Sequence, residues 1–118
     1  MVNGKTAEAE LNTRRAADLR HPPFITTFIF PEPHAAWPEG MIMGAVENPG
    51  EARAAAPGDV ECLVGVLDTR VAENEESGSV IIHGSCPADI LKCEGPGGAI
   101  TAAGADQIAA LRGIGVYA

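Results

Sequence analysis

The sequence predicts a mainly β domain with one short C-terminal helix, an α+β chain folded as a compact, small β-barrel-like body behind an extended N-terminal arm. Three observations carry that expectation. Two short apolar runs, Glu61–Leu67 (ECLVGVL) and Gly78–Gly84 (GSVIIHG), are rich in Val, Ile and Leu and end in turn-forming residues, the pattern of buried strands. Fourteen glycines and nine prolines in 118 residues favour many short elements over long helices. A helical pattern is clear only near the C-terminus, over Ala102–Arg112.

The two apolar runs form the centre of the core, and the acidic stretch between them, DTRVAENEESG, reads as a solvated loop at the sheet edge. At 118 residues the chain fits one folded domain, divided here into an arm over 1–36 and a body over 37–118. No apolar run reaches the ~20 residues that span a bilayer. None resembles a secretory signal near Met1. Synthesis and use in a reducing cytosol, with exit only by lysis, is the expectation.

Charge is distributed unevenly. Residues 1–20 hold Lys5, Arg14, Arg15 and Arg20 against Glu8, Glu10 and Asp18, one net positive charge. The remaining four basic and thirteen acidic residues leave −9 on the rest, for −8 overall. A neutral-to-basic arm on an acidic body suits docking of the arm elsewhere while the body stays solvated. It argues against general nucleic-acid binding.

Taken in order, 7–19 has the composition of a short helix with little to bury, since Leu11 and Leu19 are its large apolar side chains. His21-Pro22-Pro23 ends it. Phe24–Phe30 (FITTFIF) holds all three phenylalanines between Pro22-Pro23 and Pro31 and Pro33. Prolines confine such a strand to an edge. It is either a first core strand or a strand offered to a neighbouring chain by β-augmentation. Glu32–Gly40 reads as a connector in which Trp37 anchors packing. Met41–Val46 is a strand, and Glu47–Asp59 a loop with two Pro-Gly turns. Cys62–Leu67 and Ser79–His83 are the central strands, and another is centred on Ile90–Lys92. Glu94–Gly98 is a turn. Thr101 is the expected N-cap of the helix, with Ile100 as its staple and Gly113 as its left-handed stop. Ile108 and Leu111 face inward, and Ile114–Tyr117 returns as a strand.

Catalytic and metal signatures do not assemble. Cys62, Cys86 and Cys93 show no C-x-x-C spacing, and three cysteines inside a cell do not make a disulfide framework. Gly84-Ser85-Cys86-Pro87 is not a G-x-S-x-G elbow. Glu94–Gly98 lacks the Lys-Ser/Thr of a phosphate loop, and Glu73, Glu75 and Glu76 lack calcium-loop spacing. Basic patches interleaved with aromatics are missing as well. The expectation is no enzyme, no cofactor, no metal, no direct nucleic-acid partner and no membrane. The alternative is a small β-barrel metal- or ligand-binding module using His83, Cys86 and Cys93; an enzyme acting through a reactive Cys86 thiol is the remaining rival.

The order of parts from Trp37 onward resembles the lambda-type head decoration, or capsid cement, proteins of tailed bacteriophages. The likeness runs through W-P-E-G-M-I-M-G-A-V, C-L-V-G-V-L, S-V-I-I-H-G, I-L-K and I-T-A-A-G-A-D-Q-I-A-A-L-R-G-I-G-V. The first 36 residues match only in character. The resemblance implies a structural viral protein on the outer surface of the virion, made in the host bacterial cytoplasm, that assembles as a homotrimer at three-fold or quasi-three-fold positions. There it binds the major capsid protein and stabilises the expanded head, and cementing of that kind requires no catalysis. On that reading Phe24, Ile25, Phe28, Ile29 and Phe30 make shell or subunit contacts, steered by Arg14, Arg15 and Arg20. Trp37 and Pro38 pack at a trimer contact, and removal of residues 1–30 leaves a folded body that no longer binds shells.

Overall fold

The computed structural model describes residues 23–118. The strands are β1 (Phe24–Ile29), β2 (Ile42–Ala45), β3 (Ala52–Ala54), β4 (Leu63–Leu67), β5 (Ser77–Ser85), β6 (Lys92–Glu94), β7 (Ile100–Ala102) and β8 (Val116–Tyr117). The helix α1 (Ala105–Gly113) lies between β7 and β8. The main sheet has the order β1-β5-β4-β2-β3, with β8 added alongside β5, and β6 and β7 form a separate hairpin. Every pairing is antiparallel except β5 with β8. The mainly β body with a helix near its C-terminus is therefore observed, in a compact globule with a radius of gyration of 13.7 Å.

The longest strand organises the rest. β5 runs nine residues and carries β1 along 77–83, β4 at Val80 and Ile81, and β8 at Gly84 and Ser85. Side chains alternate along each strand, and both faces of this sheet are apolar. One face gathers Ile42, Leu63, Val66, Ile81, Cys86, Leu91, Leu111 and Val116 under α1. The other gathers Phe30, Trp37, Met41, Met43, Ala52, Leu67, Val71 and Val80. The continuous apolar character of LVGVL and SVIIHG follows, because these strands are covered on both sides.

The barrel does not close. Its two edge strands meet at one end, where the Ile29 N–H donates to the Gly50 carbonyl at 2.9 Å and Ile29 bridges Glu51. β3, at three residues, is too short to extend that contact into a ladder.

Phe24–Ile29, the stretch grouped with the arm in the sequence, is a strand of the body's own sheet, paired with β5 over its whole length. Phe30 continues into the core at 1% exposure. A deletion of residues 1–30 thus removes a core ring and uncovers the edge of β5, contrary to the expectation that the body tolerates it. Residues 1–22, with the expected helix over 7–19, lie outside the described residues.

Other boundaries shift for local reasons. The 47–59 loop contains β3, whose Ala-Arg-Ala sequence has none of the β-branched side chains that mark a strand. The strand expected around Ile90–Lys92 begins two residues later. Pro87 starts a 3₁₀ turn over Ala88–Ile90, and the Lys92 N–H then meets the Gly40 carbonyl. Thr101 is not a helix cap, since it pairs with Cys93 in the β6–β7 hairpin. α1 starts after Gly104, whose N–H is accepted by Gln107 Oε1 at 3.3 Å. Gln107 is fully buried, and its amide also donates to the Ala56 and Asp59 carbonyls, tying helix to loop. Gly113 lies within the helix, and the left-handed residue is Gly115, with φ of 103°.

Gly65 sets how closely β4 approaches β5. A β-carbon there would collide with the backbone carbonyl of Ile81, and a backbone atom cannot swing aside as a flexible side chain can. Gly65→Ala is expected to lower stability by at least ~2 kcal/mol in urea denaturation. Gly113→Ala, at a helical position with nothing within 4 Å, is expected to raise it by about 0.5 kcal/mol.

Candidate interaction surface

The apolar surface that the fold leaves open is concentrated on β1. Phe24 is 64% exposed, Ile29 54% and Ile25 36%, whereas Phe28 is half-buried and Phe30 buried. The division follows strand geometry. Phe28 and Phe30 point to the cluster around Trp37, and Ile25, Thr27 and Ile29 point to the opposite face. Cross-strand partners share a face, and Ile25 is paired with Ile81, which lies under the helix. The helix packs chiefly on β4 and β8. Ile25 and Ile29 therefore continue a covered apolar face into solvent.

Main-chain hydrogen bonding limits what the strand edge offers. The Phe30 N–H donates to the Glu76 carbonyl at 2.8 Å, so the even-numbered residues of 26–30 turn their backbone groups toward β5. The odd-numbered ones turn outward. Ile29 already donates to Gly50, and Pro31 has no N–H to give. Among the described residues, the outward backbone of Ile25 and Thr27 is what remains for a partner strand. β-Augmentation on this edge is thus short, and side chains must supply most of any contact area.

Beside this ledge a row of rings crosses three strands. Phe24 lies against His83, with ring centroids 5.7 Å apart, and His83 meets Tyr117 edge-on at 6.3 Å. No Asp, Glu, Lys or Arg occurs in β1 or β5. In a chain of net charge −8 this panel is conspicuously uncharged, and it lacks the charged residues with which exposed edge strands are usually protected.

The other expected residues fall elsewhere. Arg14, Arg15 and Arg20 lie outside the described residues. Trp37 is 1% exposed. It exchanges two main-chain hydrogen bonds with Val71, both 2.9 Å, and its Nε1–H donates to Glu94 Oε2 at 3.3 Å. Its ring is a core anchor of its own chain, so a trimer contact made by that ring is not supported. Pro38 is half-buried and sits on the rim of a shallow groove with Arg70, Val71 and Ile100. His83, Cys86 and Cys93 are not brought together as a ligand set. His83 is exposed in the ring row, whereas Cys86 is buried beneath the helix. Cys93 is buried in the hairpin, its Sγ 3.3 Å from Thr101 Oγ1. Among the described residues, no group of three or more His, Cys, Asp and Glu side chains could hold a metal ion. No helix among them is long and apolar enough to cross a membrane.

Sequence reasoning singled out the β1 residues but missed the ring row. Its signal is faint, because His83 and Tyr117 are 34 residues apart and are joined only when β8 adds to β5 in parallel. Replacing Ile25 and Ile29 together by Glu is expected to change folding stability by less than about 1 kcal/mol, as for exposed positions generally. Equilibrium denaturation checks this, and a much larger loss would mean that the ledge is internal packing.

No protein-family model matches this chain, and no curated protein matches it.

Proposed function

We propose that this is a structural, non-enzymatic protein that decorates the outer surface of an icosahedral phage head, binding the major capsid protein as a homotrimer at three-fold or quasi-three-fold positions and stabilising the expanded shell. The observation that carries the reading is the exposed, uncharged apolar panel of β1, set on an otherwise acidic body. The resemblance of the order of parts over about residues 37–118 to capsid cement proteins supplies the identity of the partner.

The physics suits repetitive docking. An acidic body repels its copies, which opposes uncontrolled association, while a small apolar panel supplies a directed contact. The panel is modest, so one copy alone binds weakly. Three copies linked in one assembly and engaging three equivalent sites gain affinity through effective concentration. Contacts fall to Phe24, Ile25 and Ile29 at the ledge, and to Pro38 at the groove rim. Phe30 and Trp37 contribute indirectly, by holding the strand and its neighbours in place. Arg14, Arg15 and Arg20 retain their proposed steering role, since basic residues are drawn toward acidic surfaces.

The test is to mix purified protein with expanded, undecorated phage shells and count bound copies by cryo-electron microscopy. Density in threes around the three-fold positions is the expected result, and it should be lost with the Ile25→Glu, Ile29→Glu double variant. Empty positions at saturating protein, on shells that accept a known decoration protein, would contradict the proposal.

A further inference from the structure

Two strand edges are open among the described residues, and they match. β1 turns the backbone of Ile25 and Thr27 outward, as its pairing with β5 requires. β7 does the same at Ile100 and Ala102. Its odd-numbered residues and their neighbours face β6, with the Ala103 N–H on the Leu91 carbonyl at 3.1 Å and the Gly95 N–H on the Ala99 carbonyl at 2.6 Å. The even-numbered ones therefore face away, and all of β7 is exposed. We propose that β1 of one copy adds antiparallel to β7 of the next, Ile25 opposite Ala102 and Thr27 opposite Ile100, and that this head-to-tail contact builds the homotrimer. The inference rests on the trimer of the capsid reading and supplies its interface.

Symmetry asks for two different patches. A contact between identical patches closes at two copies, whereas a ring of three needs a head-to-tail contact, in which each copy offers one surface and receives on another. Among the described residues, β1 and β7 are the edges suited to this. The other edges are covered: Ala52, which β3 turns away from β2, and Val116, which β8 turns away from β5, are both fully buried. Neither β1 nor β7 carries a charged side chain, so neither edge has the usual protection against pairing.

The register follows from the two patterns. Each edge offers outward backbone at positions two residues apart, so both pairs exchange their main-chain hydrogen bonds when set opposite each other. Paired side chains share a face. Thr27 then lies beside Ile100, and Ile29, 54% exposed, passes over Ile100, 39% exposed, toward the groove lined by Pro38 and Val71. On the opposite face Thr26 meets Thr101, a cross-strand pair that sheets favour. Two apolar surfaces that water reaches in the single chain are covered by one contact.

Charge selects the antiparallel sense. Arg53, Lys92 and Arg112 each donate to a main-chain carbonyl. Arg70 is exposed in the groove beside Ile100 and, among the described residues, makes no hydrogen bond or ion pair. The Ile29 end of β1 is acidic: Glu51 bridges to Ile29, and exposed Glu76 is held through its carbonyl by the Phe30 N–H. Antiparallel addition brings that end to Arg70. Parallel addition would carry it past Ala102 toward Asp106 in the first turn of α1, like charge against like. The contact is short and weak alone, but closing the ring makes the last contact intramolecular.

The experiment uses the full chain and sedimentation equilibrium over a range of concentrations. Proline is tolerated where an edge residue turns its N–H outward. Thr27→Pro therefore blocks β1, and Ala102→Pro blocks β7, without removing a bond to the strand behind. The unaltered chain is expected to be a trimer, and each proline variant alone a monomer with unchanged circular dichroism. Mixed, the two variants should form a one-to-one dimer and nothing larger, because the mixture holds one kind of open β1 and one kind of open β7. Should a proline variant fail to fold, Ile25→Glu with Ile29→Glu replaces the first and Ile100→Glu the second. An unaltered chain that stays monomeric, a trimer that survives either block, or a mixture without dimers would overturn the interface. Shells still decorated in threes by the blocked variants would overturn it too, and leave the capsid reading standing. Trimers that behave as expected but leave competent shells empty would instead sink the capsid reading and spare the interface.

Discussion

The fold depends on a single strand being shared. β5 is paired with β1, β4 and β8 at successive positions along its nine residues, and each partner fixes a different part of the molecule. β4 places the centre of both apolar clusters, β8 returns the chain from the helix, and β1 sets the open edge. The sharing works because β4 approaches without a side chain at Gly65, directly against the Ile81 carbonyl. Main-chain hydrogen bonds here are surrounded by apolar side chains on both faces, where leaving a donor or acceptor unpaired is costly. The core is accordingly arranged around the ladder rather than beside it.

From that constraint follows the asymmetry of the surface. A sheet with two apolar faces must be covered twice, and the described residues supply one nine-residue helix and one short hairpin with which to do so. Trp37, Phe30 and His34 cover one face from a segment without regular structure. The helix covers the other chiefly over β4 and β8, and Ile25 and Ile29 stay exposed on that face. An exposed apolar strip produced in this way is a ready contact surface, and its lack of charge sets it apart from the rest of an acidic molecule.

Much of the architecture was legible in the sequence because it rests on signals that sequence carries directly. The strands around Leu63–Leu67 and Ser77–Ser85 announce themselves by β-branched and aliphatic runs, and the helix near the C-terminus by the spacing of Ile108 and Leu111. Elements held by their neighbours were not legible. β3 is an alanine–arginine stretch that becomes a strand because β2 lies beside it, and Thr101 becomes a strand residue because Cys93 is its partner. Gln107, polar and in the first turn of the helix, gave no sign of burial, yet it supplies bonds to two loop carbonyls and to the helix start. The prolines around Phe24–Phe30 correctly marked an edge strand. They could not tell whether its partner was another chain or residues 77–83 of this one. The candidate surface was legible as a list of β1 side chains, but not the division between Phe30 inside and Ile29 outside, which depends on which edge faces β5.

Residue-resolved hydrogen exchange along 24–30 tests most directly whether this strand belongs to the body. Amides of Thr26, Phe28 and Phe30 are expected to be protected nearly as well as those of β4, while Ile25 and Thr27, on the outward edge, exchange far faster. Uniformly fast exchange across the whole stretch would contradict a β1 built into the sheet and restore the picture of a free arm.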